Sequence, residues 1–227
     1  MTEREKILAR VREALKVAAP LPGSHGEIHL PASAKTVSTA RQWLPKVGES
    51  FEEQIALFVK NAAELKADFQ LLNSADEVRQ ALVRLRDSEN WKRAACHSGG
   101  LTDAICPPLN ILLLRTDKPY DVHELETCDV GISECDALVA QTGSVLVTNR
   151  SAGGRALSVL PPHHVVLARR EQLVADLPAA FELLQQKYAA NYPSMISFIT
   201  GPSRTGDIER ILVLGAHGPK KLTILCF

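Results

Sequence analysis

Hydrophobic positions near the start of the chain recur at helical spacing. Ile7, Leu8, Val11 and Leu15 fall at i, i+1, i+4 and i+8 among charged residues, which predicts an amphipathic helix over residues 3–18. Two prolines and two glycines within residues 19–26 end that pattern and predict a linker or mobile loop reaching to residue 34. Phe51, Ile55, Phe58, Val59 and Ala62 then mark a helix within 47–66. Residues 69–73 form a short strand candidate. Ser74 follows in position to cap a helix whose third residue is Glu77 and whose buried face carries Val78, Leu82 and Leu85. Residues 93–97 make a second strand, ended by Ser98-Gly99-Gly100. Residues 110–114 make a third, apolar on both faces, as in a strand covered on each side by helices.

This alternation predicts an α/β fold, a mostly parallel sheet flanked by helices, with an N-terminal helical extension. Ligand loops in such sheets gather at the carboxyl ends of the strands. Further along, residues 129–133 read as a strand, Glu134-Cys135-Asp136 as the turn after it, and 137–141 and 144–148 as a pair folded back around Thr142-Gly143. A polar loop follows from Asn149 to Arg155. Residues 165–168 read as a strand, 171–188 as a helix despite Pro178, and 194–200 and 222–227 as the last strands. The domain reading is residues 1–34 as helix and linker, and residues 35–227 as one α/β domain.

Composition narrows the function classes. The 26 basic and 26 acidic residues balance, so no net field favours nucleic acid or an acidic membrane. Acids and bases alternate through residues 1–17, unlike a signal peptide. No apolar run reaches the roughly 18–20 residues of a membrane span, and a cytoplasmic location is expected. Cys96, Cys106, Cys128, Cys135 and Cys226 contain no Cys-x-x-Cys pair, which points to reduced, packed thiols and away from a disulfide framework, a zinc knuckle or an iron–sulfur centre.

The candidate chemistry centres on two glycine-bearing loops. Gly201-Pro-Ser-Arg-Thr-Gly206 has the glycine spacing of a nucleotide P-loop, but Asp207 and Ile208 stand where that motif needs Lys and Ser/Thr. What remains is a strand-loop-helix junction in which Ser203, Arg204, Thr205 and exposed amides could hold an anion; a helix end capped by Asp207 and Glu209 explains the same residues. Gly215, His217 and Gly218 form the second loop, with Lys220 or Lys221 adding charge. His217 is a candidate proton carrier or simply a solvated loop residue. Glu134 and Asp136, with Gln141, Thr142, Gly143 and Ser144, make another polar cluster, suited to acid–base work or to ordinary turn capping. Arg155 could grip a carboxylate or phosphate, or be a solvated loop arginine. His163 and His164 are adjacent, so a strand would point them to opposite faces and no metal site is expected from the pair.

Residues 129–147 (DVGISECDALVAQTGSVLV), Arg155 with Leu160-Pro-Pro-His-His164, Gly201–Glu209 and Gly215–Pro219 together resemble the LUD-domain proteins, and within them the lactate-utilisation protein C branch. The resemblance implies a fold similar to the sugar-phosphate isomerase and CoA-transferase-like domains, and a part in oxidising L-lactate to pyruvate. It also implies partner subunits bearing cysteine-rich and iron–sulfur chemistry, with no such cluster bound by this chain. It supplies no catalytic residue set. Gln141 stands where the family usually has Glu, and an amide cannot serve as nucleophile or base. Three functions follow: a non-redox subunit that binds a small anionic ligand or supports the complex, an independent isomerase- or transferase-like enzyme on a phosphorylated or CoA-linked metabolite, or an interaction module. On any of them, the loops at Gly201 and Gly215 should meet the Thr142-Gly143 turn around one cleft.

Overall fold

The computed structural model describes residues 3–14, 16, 41–189, 191–205, 213–215 and 217–227. The chain divides into two units, Met1–Leu44 and Pro45–Phe227. In the first, helix α1 (Glu3–Ala14) carries the predicted stripe, with Ile7, Leu8 and Val11 exposed, and a 3-10 turn covers Arg41–Trp43. Leu15 and the proposed linker at 19–34 lie outside the described residues.

The second unit contains, in chain order, α2 (Phe51–Glu64), β1 (Asp68–Leu71), α3 (Ala75–Glu89), β2 (Arg93–Cys96), α4 (Gly100–Ile105), β3 (Leu112–Arg115), α5 (Val122–Glu126), β4 (Val130–Glu134), β5 (Ala137–Val139), β6 (Ser144–Thr148), β7 (His163–Ala168), β8 (Leu173–Val174), α6 (Leu177–Tyr188), β9 (Ile196–Ile199), β10 (Arg204–Thr205), β11 (Val213–Leu214) and β12 (Lys221–Cys226). Six parallel strands form the main sheet in the order β1-β12-β7-β4-β2-β3. Side chains alternate across it. Val165 and Leu167 face α3 and α4, packing with Val78, Leu82, Leu101 and Ile105, while Val166 and Ala168 face Phe58 and Ala62 of α2. A second sheet, β8-β5-β6-β9, lies over that latter face through Leu138, Val145 and Val147. Its outer face carries Ala137, Val139 and Leu146 against Ala180 and Leu184 of α6.

Helix boundaries follow their caps. Ser50 and Glu53 form a reciprocal capping box before α2, and the Ser74 hydroxyl accepts the Glu77 N–H before α3 at 3.2 Å. The predicted helix at 171–188 is shorter. Asp176 caps α6 by accepting the Ala179 N–H at 2.8 Å, and Pro178 sits in its first turn, where a missing N–H costs little. The residues before it make a 3-10 turn and β8, which pairs with β5. Glu134 closes β4 instead of starting a turn, and His163 and His164 open β7.

The register fixes the two ends of the main sheet. Val130, His163 and Lys221 lie side by side at its amino end; Glu134, Leu167 and Leu225 are in register at the other. Four residues along β4 separate these rows, about 13 Å at 3.3 Å per residue.

Candidate functional site

At the carboxyl end, Glu134 occupies the start of α4. Its Oε1 accepts the N–H groups of Leu101 and Thr102 at 2.7 and 3.1 Å. Asp103 accepts the Gly99 N–H and pairs with Arg115 at 2.7 Å, and Asp117 accepts both the N–H and hydroxyl of Ser98 at 2.9 Å. Hydrogen bonds from Ser98 hold the Asp117 carboxyl below the usual range. Buried His97 lies 3.0 Å from the Ser98 carbonyl through Nδ1, and its Nε2 accepts the Glu134 N–H at 3.4 Å. A carbonyl can only accept and an N–H only donate, so the neutral ring with its proton on Nδ1 satisfies both. Three carboxylates therefore surround the Ser98–Gly100 loop, and the chain's own Glu134 fills the place an incoming anion would take.

Asp136 is separate from this group. Its buried carboxylate accepts from Lys187 Nζ and Tyr188 Oη, both at 2.6 Å, and from Ser151 Oγ at 2.6 Å. Burial acts to raise its pKa, but the bonds from Lys187, Ser151 and Tyr188 outweigh it and hold the group below the usual range. These bonds tie α6 and the loop at Ser151 to the turn between β4 and β5. Arg155 spends its guanidinium on the Ser194 carbonyl at 2.6 Å.

The remaining predicted residues follow the hairpin back toward the amino end. Asn61 of α2 donates to the Ala140 and Gln141 carbonyls at 3.0 and 2.9 Å, pinning the Thr142-Gly143 turn. Gly143 has φ +64°, and a Cβ there would lie 2.7 Å from the Ala62 nitrogen. Gln141 donates its side-chain N–H to the Pro45 carbonyl at 3.2 Å, a bond that Glu could not make. Ser144 Oγ lies 2.8 Å from Thr200 Oγ1, and Gly201 (φ +85°) packs on the Leu65 carbonyl. Ser203 in turn donates its N–H to the Pro219 carbonyl and accepts the Gly215 N–H, each at 2.9 Å. Arg204 and Thr205 are strand and not loop: they pair antiparallel with Val213–Leu214 as a two-stranded ribbon. The helix start read at Asp207 and Glu209 lies outside the described residues.

A cleft of about 440 Å³ opens beside this second loop. It is lined by Gly215, His217, Gly218 and Lys220 together with Val159, Leu160, Pro162 and Glu126. The expected single site is thus divided. The Thr142-Gly143 turn, Gly201 and the Gly215–Gly218 loop are joined by a chain of contacts at the amino end, but the turn does not line the cleft. Glu134 and Asp136 sit at the far end of the sheet. The glycines serve close packing: a Cβ on Gly218 would lie 3.1 Å from Ser203 Cβ, and one on Gly215 (φ +72°) would collide with the Lys220 side chain. The backbone N–H groups of Ser203, Gly215, Lys220 and Lys221 are all committed to Pro219, Ser203 and Pro162 carbonyls. Glu126 escapes a reading of the sequence, being one exposed acid on a short helix. His97 had a signal in its place after β2 and before two glycines.

Sequence comparison places this architecture. A model of the LUD domain matches residues 55–226, from within α2 to the end of β12. The chain belongs to the LUD domain family. Among its relatives, Lactate utilization protein C of Shouchella clausii is 30% identical over 179 residues, which cover 76% of this chain and 78% of that protein. Lactate utilization protein C 1 of Bacillus mycoides is 35% identical over 105 residues, 45% of each chain. The fold is similar to the crystal structure of a DUF162 family protein from Deinococcus radiodurans, with a TM-score of 0.61, 20% identity, and coverage of 79% of this chain and 99% of the other. Family membership thus spans both sheets and both polar ends described above.

Proposed function

We propose that this chain works in L-lactate utilisation as a non-redox subunit, binding a small anionic ligand and supporting partner proteins that carry cysteine-rich and iron–sulfur chemistry. Its relationship to proteins named lactate utilization protein C, one of them matched over most of its length, carries the reading. The cysteines support the division of labour. All five are buried, and they are spread over three apolar clusters: Cys96 with Cys106, Cys135 with Cys226, and Cys128 alone. Burial pushes the Cys135 thiol up and the Cys226 thiol up to about 11, which keeps them as packing groups instead of thiolate ligands. Free thiols also suit a cytoplasmic setting, and among the described residues no helix is long and apolar enough to cross a membrane.

The internal bonds of the Ser203, Gly215, Lys220 and Lys221 amides take those four groups out of a phosphate or CoA cradle at that loop. The test is recovery of the tagged native protein from lactate-grown cells. Co-recovery of iron–sulfur or cysteine-rich proteins, with impaired growth on L-lactate after deletion, is expected. Recovery alone combined with normal growth would refute the role.

A further inference from the structure

We propose that the amino-end cleft is a site built from side chains for a short 2-hydroxy or 2-oxo monocarboxylate, with Lys220 taking the carboxylate. The inference deepens the anionic-ligand reading above and rests on it. The nearby amides of Ser203, Gly215, Lys220 and Lys221 are already bonded internally, and Lys220 is the lysine that lines the cleft. Lys220 has no hydrogen-bond or ion-pair partner in the described structure, whereas Lys221 next to it is held by Glu89 at 2.6 Å. An exposed ammonium at the mouth of a cleft is a ready counter-ion for an acid.

The rest of the lining selects the kind of acid. Glu126 faces the same space, its own neighbour being His123 at 3.5 Å. A phosphate ester, carrying about 1.5–2 negative charges near neutrality, would have one ammonium to meet and a carboxylate to oppose it. A monocarboxylate is matched by Lys220 one to one, which leaves Glu126 able to accept a hydrogen bond from a 2-hydroxyl. His217, also at the cleft, can donate to a 2-oxo group. Leu160 and Pro162 provide the apolar wall for a short carbon chain. The volume, about 440 Å³, lies within the range of small-molecule sites. It leaves room for ordered water beside a compact acid, each water taking about 30 Å³.

The experiment is calorimetric titration of the full chain at pH 7 with L-lactate, pyruvate, propionate and inorganic phosphate, repeated on Lys220→Met, Lys221→Met and Glu126→Gln. Lactate or pyruvate should bind, and propionate, which lacks the 2-oxygen, should bind about tenfold more weakly. Lys220→Met should weaken the acid by about tenfold or more, and Lys221→Met by less than about twofold. Glu126→Gln should strengthen phosphate, which supplies an independent readout if Lys220→Met folds poorly. Tighter binding of phosphate to the parent chain, equal binding of propionate, undiminished binding to Lys220→Met, unchanged phosphate binding in Glu126→Gln, or no acid binding at all would each overturn the site. None of these outcomes bears on whether the chain assembles with redox partners, which the recovery experiment decides separately.

Discussion

Acid should weaken this fold through two buried histidines. His163 Nε2 bonds Thr223 Oγ1 at 2.9 Å, and its ring stands edge-on to Trp91 at 5.3 Å; His164 Nε2 bonds Ser133 Oγ at 2.8 Å on the opposite face of the sheet. Neither Nδ1 has a partner, so protonation would place an unsatisfied N–H in the interior. Burial lowers the pKa of His163 to about 4, despite Glu89, and that of His164 to about 3, with His163 adding to the effect. Because these folded values lie below the unfolded value of about 6.5, the stabilisation is complete above that value and is lost as pH falls toward the folded pKa. Integrating the proton linkage from pH 7 to pH 5 gives about 2 kcal/mol for each ring, about 4 kcal/mol together. Urea unfolding at pH 7, 6 and 5 measures it. His163→Gln and His164→Gln should each remove about 2 kcal/mol of the pH-dependent loss, whatever they cost at pH 7. A parent chain equally stable at pH 7 and pH 5, or glutamine variants that keep the parent's full pH slope, would show that the rings are not held neutral by burial.

Other perturbations test the packing directly. Asp136→Ala strands Tyr188 and Ser151 and frees Lys187, and should cost about 3–5 kcal/mol in denaturant unfolding. The depressed pKa of Asp136 adds that its contribution is present above the unfolded carboxylate value and fades as pH falls through the folded one, so a parent and an Asp136→Asn variant should converge in stability at the acid end. Gly143→Ala combines positive φ with a clash on the α2 backbone and should cost about 2–5 kcal/mol, read from the same unfolding curves. Ser50→Ala removes one half of the α2 capping box and should cost about 1 kcal/mol, visible as a downward shift in Tm.

The fold was legible where local chemistry and tertiary packing agree. Ser74 with Glu77 marked the start of α3, and the alternating β6 segment Ser144–Thr148 has the boundaries its sequence predicts. Helix 171–188 was overextended because Leu173 and Val174 satisfy a helical pattern as well as a strand, and only pairing with β5 decides between them. Short α4 is held by Glu134, thirty-odd residues away, a contact that no local pattern encodes. The site shows the same limit. Glycine spacing drew attention to residues 201–218, but it could not reveal that the loop amides bond one another. Nor could it reveal that Glu126 and Leu160 line the same cleft. The separation of Glu134 from Thr142, eight residues on, depends on a hairpin that turns back along the sheet.

The internal bonding of Ser203, Gly215, Lys220 and Lys221 separates two duties that many ligand sites assign to the same atoms. Main-chain bonds to Pro162, Ser203 and Pro219 hold the shape, while Lys220, Glu126 and His217 line the cleft with side chains whose replacement leaves those bonds in place. At the proposed site, relatives sharing this frame could therefore exchange Lys220, Glu126 or His217 and acquire a different ligand preference with little change in foldedness, so divergence at those positions would report a change of ligand sooner than a loss of structure.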